Sequence, residues 1–243
     1  EYERLPPRAD VYPAAKSTAA LLTFTSGSTG SPKAALRTHG FLLAQHRALQ
    51  PVLKLNAGEI DLATLPLFVL ANLASGITSL IPDVDLRRPA RIDPARVVSQ
   101  IRAHRPTRSG ASPAFFERLA EYCEKQCLTL PELRRIFTGG GPVFPSLLDR
   151  LKQIAPNAEV VGVYGSTEAE PIARVAHGEI LREDVAAMEV GAGVLAGAPV
   201  PDIRLAILPD RWGMPIGPFN PRQIAPDGHV SDRSGSNWQA AEQ

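Results

Sequence analysis

Short apolar segments alternate with longer amphipathic segments between residues 17 and 208, and this alternation limits the fold more than any other feature. It predicts an α/β fold in which crossover helices cover layered sheets. We expect a lead-in segment over residues 1–16, one domain over 17–208 and an irregular tail rich in proline and glycine over 209–243. Strands are predicted at Ala19–Phe24, Ile60–Leu65, Arg108–Ala111, Arg135–Thr138, Val160–Tyr164 and Ile203–Leu208, and helices at Gly40–Leu53, Asp93–Ala103, Pro113–Gln126 and Pro145–Ile154.

A loop rich in hydroxyl groups and glycine follows the first predicted strand, which we expect to be buried. Glycines permit positive φ and close backbone approach, while hydroxyls and a lysine can bind phosphate oxygens. The loop is not a Walker A motif, because its lysine follows a proline. A solvent loop of the same composition is the alternative. The predicted phosphate-binding residues are Thr25, Ser26, Gly27, Ser28, Thr29, Gly30 and Lys33.

A second polar turn follows the predicted strand Val160–Tyr164. Tyr164 offers a ring that can stack on a base, and Gly165 keeps the turn small. Thr167 offers a hydroxyl donor, and Glu168 a hard oxygen ligand for Mg²⁺. Taken alone, Tyr164 also fits the role of a core tyrosine, and Glu168 that of a solvated carboxylate in a turn. Their pairing with the first loop favours a ligand site.

Three consecutive glycines, Gly139, Gly140 and Gly141, stand between a predicted strand and a predicted helix, followed by Pro142. Adjacent glycines cost chain entropy, which favours close approach of a flat ligand to this backbone. An ordinary turn from strand to helix is the alternative.

Together these segments resemble the adenylate-forming superfamily, which includes acyl-CoA synthetases, fatty acyl-AMP ligases, peptide-synthetase adenylation domains and luciferases. The resemblance implies part of the large N-terminal domain of such an enzyme, with ATP and Mg²⁺ as cofactors. By resemblance, the residues that would wrap the β- and γ-phosphates of ATP are Thr25, Ser26, Ser28, Thr29 and Lys33. Gly139, Gly140 and Gly141 would line the adenine and acyl pockets, and Tyr164 would stack on adenine. Thr167 would contact the α-phosphate and Glu168 would bind Mg²⁺, so that Lys33, Thr167 and Glu168 are the expected catalytic residues.

The segment Leu65–Leu70 carries no histidine, although many members of this superfamily have one there, so we expect the wall on the acyl side to be more apolar than usual. In the general pattern of its residues, the chain is most similar to the olefin-biosynthesis β-lactone synthetases and to long-chain acyl-CoA synthetases. The resemblance implies that a long-chain or β-hydroxy fatty acid is activated as an acyl-adenylate with release of pyrophosphate. CoA or the substrate's own hydroxyl would then displace AMP.

Composition also bears on whether the protein binds nucleic acid or spans a membrane. The chain has 26 basic and 25 acidic residues, which gives no electrostatic case for nucleic acid as a partner. No apolar run approaches the roughly 18–20 residues that span a bilayer, so we expect a cytoplasmic protein, and a homodimer is left open.

The superfamily's ribose-binding aspartate and C-terminal catalytic lysine are not identified in this sequence. Two alternatives therefore stay open, a catalytically incomplete nucleotide-binding or interaction module and a phosphotransferase or NTPase. Even an authentic ligase sequence of this length could be inactive by itself.

Overall fold

The chain divides into two compact units, Glu1–Arg47 and Ala48–Gln243. This division does not test the domain boundaries expected after residues 16 and 208, which stay predictions. A computed structural model describes residues 12–25, 33–201, 203, 205, 230–231 and 237–238.

Strands and helices alternate after an initial hairpin, which confirms the predicted α/β class. Within the described residues, the strands are β1 (Ala19–Thr25), β2 (Lys33–Thr38), β3 (Ile60–Ala63), β4 (Thr78–Leu80), β5 (Arg108–Ala111), β6 (Arg135–Gly139), β7 (Glu159–Tyr164), β8 (Ala173–Ala176), β9 (Ala198–Pro199), β10 (Val230–Ser231) and β11 (Asn237–Trp238). The α-helices are α1 (His39–Leu53), α2 (Pro66–Ala74), α3 (Pro94–His104), α4 (Pro113–Lys125), α5 (Pro145–Ile154) and α6 (Arg182–Glu189).

The segment Ala19–Phe24 does form a strand, but the expectation that it is buried is wrong. β1 pairs antiparallel with β2 in a sheet of two strands, which places Leu22 opposite Leu36. Leu22, Phe24 and Leu36 are 51%, 68% and 63% exposed. Side chains alternate between the two faces of a strand, and these three side chains share the exposed face of the hairpin.

A seven-stranded sheet organises the second unit, in the order β4-β3-β5-β6-β7-β8-β9. The pairs from β4 to β7 are parallel, whereas β7, β8 and β9 pair antiparallel. The parallel strands are joined through helices, as crossover connections require. Their carboxyl ends therefore lie along one edge of the sheet, the usual place for a ligand site.

The sheet is covered on both faces, because neighbouring residues of one strand belong to different buried clusters. Ile136 and Val160 pack in a cluster with residues of α3, α4 and α5. The next residues, Phe137 and Val161, pack in a second cluster with the end of α1 and with α2. This alternation is what a strand buried on both faces requires.

The predicted helices are confirmed to within two residues at each end. α5 has the predicted bounds, and α3 begins after Asp93, whose carboxylate accepts the Ala95 N–H at 3.0 Å. Proline occupies the first turn of α3, α4 and α5, where it suits a helix start. Two helices, α2 and α6, were not predicted. None of the helices in the described part of the chain combines the length and apolarity needed to cross a bilayer.

Candidate functional site

The glycine run at the end of β6 serves both strand packing and an open turn. Gly139 is buried, and a Cβ there would lie 2.4 Å from the carbonyl oxygen of Val163 on β7. Gly140 has φ +78°, and a Cβ on it would meet no atom within 4 Å. For Gly141 the nearest atom to such a Cβ is Cδ of Pro113, at 3.8 Å. The backbone of Gly140 and Gly141 is therefore open to a ligand.

Tyr164 ends β7 with its side chain 52% exposed. Its backbone carbonyl accepts the Ile172 N–H at 2.8 Å, which fixes the strand end against the start of β8. A Cβ on Gly165 would lie 3.0 Å from Cγ of Glu170 and 3.2 Å from the carbonyl oxygen of Ala169. Glycine thus lets the chain fold back tightly while the tyrosine ring stays accessible.

Backbone hydrogen bonds close the turn that follows. The Ser166 N–H donates to the Ala169 carbonyl at 2.7 Å, and the Ala169 N–H donates back to the Ser166 carbonyl at 3.1 Å. Thr167 and Glu168 form the tip of this turn, Thr167 half-buried and Glu168 exposed. The turn holds two of the three predicted catalytic residues in a fixed backbone frame.

A cleft of about 700 Å³ joins the two strand ends. The structure thereby brings together predicted site residues that are separated in the sequence. Gly139 is buried at the end of β6, and Thr167 and Glu168 follow Gly165 in the sequence without lining the cleft. The predicted residues that line the cleft are Gly140, Gly141, Pro142, Tyr164 and Gly165.

Most of the remaining cleft wall is apolar and was not predicted. It comes from the residue after Pro142, from the middle of β7, from β8, from the glycine-rich segment before β9 and from Leu205 after β9. Val143, Gly162 and Val163 stand in or beside the recognised motifs, whereas the others reach the cleft through strand pairing and chain reversal. These residues are Val143, Gly162, Val163, Val175, Val194, Leu195, Ala196 and Leu205.

The apolar segment Leu65–Leu70 forms the start of α2. Phe68 is 6% exposed and shares a buried cluster with Val163. A Cβ on Gly110 would lie 2.5 Å from Cδ2 of Phe68, so glycine is what lets this ring pack on β5. Within the described residues the cleft wall does not include α2, and the role of this segment toward an acyl chain stays a prediction.

The predicted phosphate loop connects the two strands of the hairpin. Thr25 ends β1 opposite Lys33, which begins β2. Ser26, Gly27, Ser28, Thr29 and Gly30 lie outside the described residues, as do the side chains of Thr25 and Lys33. Their roles as phosphate ligands stay predictions.

The described residues contain no group of three or more His, Cys, Asp or Glu side chains that could hold a metal ion. Mg²⁺ in nucleotide-dependent enzymes is commonly held by one or two carboxylates together with substrate phosphates and water. An exposed carboxylate such as Glu168, three residues beyond Gly165, fits Mg²⁺ that arrives with ATP.

The edge formed by the amino ends of β3, β5 and β6 carries a network of charged groups. Arg108 is 1% exposed, and its guanidinium donates to the carbonyls of Leu53 at 2.9 Å and Lys54 at 3.2 Å, at the end of α1. It also donates to Glu59 Oε2 at 3.1 Å, while Arg135 donates to Glu59 Oε1 at 2.5 Å. This network ties the end of α1 to β5 and β6.

Asp61 completes this network from β3. It lies opposite Arg108 in the register, and its Oδ2 accepts the Asn72 Nδ2–H at 2.7 Å. Burial raises the pKa of the Asp61 carboxyl, and the Asn72 hydrogen bond and the Arg108 charge act against that rise. The carboxyl oxygen Oδ1 of Asp61 is buried without a hydrogen-bond partner.

Comparisons with known proteins identify relatives of this chain. The chain is 34% identical over 216 residues to the olefin beta-lactone synthetase of Stenotrophomonas maltophilia, a match over 88% of this chain and 38% of that protein. It is 31% identical over 148 residues to the long-chain-fatty-acid–CoA ligase FadD13 of Mycobacterium tuberculosis, over 61% of this chain and 29% of that protein. The chain thus spans less than two fifths of the length of either relative.

The fold also matches solved structures. The crystal structure of VinN superposes with a TM-score of 0.64 at 20% identity, over 96% of this chain and 63% of that one. The model of the family described as AMP-binding enzyme matches residues 2–224. The open glycine-lined cleft, the fold and this match over most of the sequence lead to one conclusion: the chain belongs to the AMP-binding enzyme family, as its motifs predicted.

Proposed function

We propose that the protein activates a carboxylic acid with ATP, forming an acyl-adenylate and releasing pyrophosphate. One observation carries the proposal: in a chain of the AMP-binding family, a single cleft joins the glycine turn after β6 to the exposed tyrosine at the end of β7. The proposal covers the complete protein, since the chain spans only part of its relatives.

The nucleotide half of the proposal rests on accessible backbone and one aromatic ring. Tyr164, about half exposed at the cleft, would stack on adenine, while Gly140 and Gly141 let a flat ring approach the backbone. Thr167 would donate to the α-phosphate and Glu168 would bind Mg²⁺. Lys33 and the loop at 25–30 would bind the β- and γ-phosphates.

The chemistry needs positioning and charge compensation rather than a protein nucleophile. A carboxylate oxygen of the acid attacks the α-phosphorus in line, and the bond from that phosphorus to the β-phosphate bridging oxygen breaks. Pyrophosphate leaves with the electron pair. The Lys33 ammonium would offset the negative charge that develops on the leaving group, and Thr167 would orient the α-phosphate.

For the acid we propose a long-chain or β-hydroxy fatty acid. Val143, Val175 and Leu195 give the cleft an apolar wall beyond the nucleotide residues. Each methylene buried there contributes about 0.8 kcal/mol, so a few carbons outweigh most single polar contacts. CoA or the substrate's β-hydroxyl would then displace AMP, and the two curated relatives carry names of both kinds. We also propose a cytoplasmic setting, where ATP is available.

Product analysis on the complete protein tests this function. Incubation with ATP, Mg²⁺ and acids from acetate to hexadecanoate should release AMP and pyrophosphate only when an acid is present. ADP with phosphate would instead indicate a phosphotransferase or NTPase. Saturable nucleotide binding without turnover would indicate a binding module.

A matched pair of lysine variants refines the test. Lys33→Ala should lower acid-dependent AMP release at least about tenfold. Lys125→Ala removes a lysine that pairs with Glu121 on the exposed side of α4 and should leave the rate unchanged. Equal rates for the two variants would show that Lys33 does not contribute to formation of the acyl-adenylate.

A further inference from the structure

A second cavity lies next to the cleft and shares part of its wall. It has a volume of about 570 Å³ and lies between the end of α1, β8 and the chain around β9. Val52, Val175 and Val200 contribute apolar surface, and Arg174 and Glu179 form an ion pair of 3.3 Å in its wall. Among the described residues, Val175 and Leu195 are the two that line both cavities.

The two shared residues differ in how firmly they are held. Val175 lies in β8, where it pairs with Gly162 and is 6% exposed. Leu195 lies in an irregular segment, where its N–H donates to Sδ of Met188 at 3.4 Å. The Leu195 side chain is therefore the part of the shared wall that can change without disturbing the sheet.

Glycines set the path of this segment along the sheet edge. Gly193 and Gly197 have φ +91° and +84°, values that side-chain-bearing residues rarely adopt. A Cβ on Gly197 would lie 2.0 Å from the carbonyl oxygen of Arg174, so the segment is pressed against β8 just after Leu195. This close approach fixes Leu195 at the boundary between the two cavities.

We propose that Leu195 limits the length of the acyl chain by closing the passage from the cleft into the second cavity. This inference rests on the proposed function and names the alkyl chain of the activated acid as the occupant. The apolar residues on both sides of Leu195 match such a chain. The ion pair of Arg174 and Glu179 lies in the wall of the far cavity, so the tail would occupy the apolar part near Val52 and Val200.

Variants that resize residue 195 test the proposal in the complete protein. Leu195→Ala opens the passage, so kcat/KM should shift toward longer saturated acids, by about fourfold for each additional methylene that becomes buried. Leu195→Phe narrows it and should shift the optimum toward shorter acids. The KM for ATP should stay within about twofold of wild type in both variants, because the nucleotide residues are untouched.

Val190→Ala is the matched control, since Val190 precedes the same segment, is 86% exposed and lines neither cavity. Its chain-length profile should equal that of wild type. Wild-type profiles in both Leu195→Ala and Leu195→Phe would overturn the inference and leave the proposed function standing. If the alanine variant does not fold, the phenylalanine variant decides alone. Wild-type enzyme that releases no AMP with any acid would overturn the proposed function and this inference together.

Discussion

At the amino ends of β3, β5 and β6 charged side chains pair with one another, whereas at the carboxyl ends of β6 and β7 the chain exposes glycine backbone and one aromatic ring. Asp61 and Arg108 belong to the first edge, where both are almost fully buried. Gly140 and Tyr164 belong to the second, where the surroundings are open. β6 belongs to both edges, with the charged Arg135 at its amino end and the buried Gly139 at its carboxyl end.

The difference separates stability from binding. Buried charges are tolerated only when they are paired, so the amino edge contributes a fixed scaffold whose loss is costly. Glycine loses more conformational entropy on folding than other residues. It is therefore useful mainly where the backbone must turn or approach a ligand closely. Changes at the amino edge should therefore lower stability, and changes at the carboxyl edge should lower nucleotide use.

The largest effect is expected for Arg108→Ala. This variant leaves Asp61 and the carbonyls at the end of α1 without their cation, and leaves Glu59 with Arg135 alone. It should lower the free energy of unfolding by about 3–5 kcal/mol. Arg118→Ala is the control, because Arg118 is 40% exposed and pairs with Glu121 at the surface, where such pairs contribute about 1 kcal/mol or less. Urea unfolding measures both. Equal losses in the two variants would show that the amino edge is not a scaffold.

Tyr164→Ala should have the opposite profile. Loss of stacking on adenine should weaken ATP use by about 1–3 kcal/mol, measured as kcat/KM for ATP. The unfolding free energy should change little, because the ring is about half exposed. Tyr164→Phe keeps the ring and should stay close to wild type. A stability loss in Tyr164→Ala without a kinetic effect would place the ring in the scaffold instead.

Glu168→Gln keeps the shape of the turn and removes one charge. We expect the Mg²⁺ concentration for half-maximal rate to rise at least about tenfold, or 1.4 kcal/mol. Glu189→Gln changes an exposed carboxylate at the end of α6 and serves as the control. A Mg²⁺ titration that is identical in Glu168→Gln and wild type would make Glu168 a turn residue only.

The smallest effect concerns the pH dependence of stability at Asp61. Burial raises its pKa in the folded protein above 3.8, so unfolding releases its proton in the pH range between the unfolded and folded pKa values. Through that range this carboxyl makes stability fall as pH rises. Asp61→Asn removes the titration, so its unfolding free energy relative to wild type should increase as pH rises from about 4. A difference that is constant or shrinks with pH would contradict the assignment.

Local signals in the sequence predicted much of the fold but little of the cleft wall. α3 and α5 were predictable because Asp93, proline and an amphipathic pattern mark their starts. α2 was missed because Leu67–Leu70 is apolar on every side and shows no helical period. The exposure of β1 depends on which strand it pairs with, which its apolar residues alone do not encode.

The site divides in the same way. Gly140 and Tyr164 belong to motifs that are recognisable from the sequence alone. Leu195 lines the cleft in a segment that Gly197 brings close to Arg174, and Asp61 meets Arg108 through the register of β3 and β5. These contacts depend on the folded sheet, so residues far apart in the sequence give no local sign of them.

The central claim is that the open carboxyl edge activates an acid through an acyl-adenylate, and isotope transfer tests it most directly. The complete protein is given ATP, Mg²⁺ and a long-chain acid whose two carboxylate oxygens carry a heavy isotope, and the AMP product is analysed by mass spectrometry. If the carboxylate attacks the α-phosphorus, displacement at the acyl carbon leaves one labelled oxygen on the phosphate of AMP. AMP without the label, or the label in inorganic phosphate, would contradict the account.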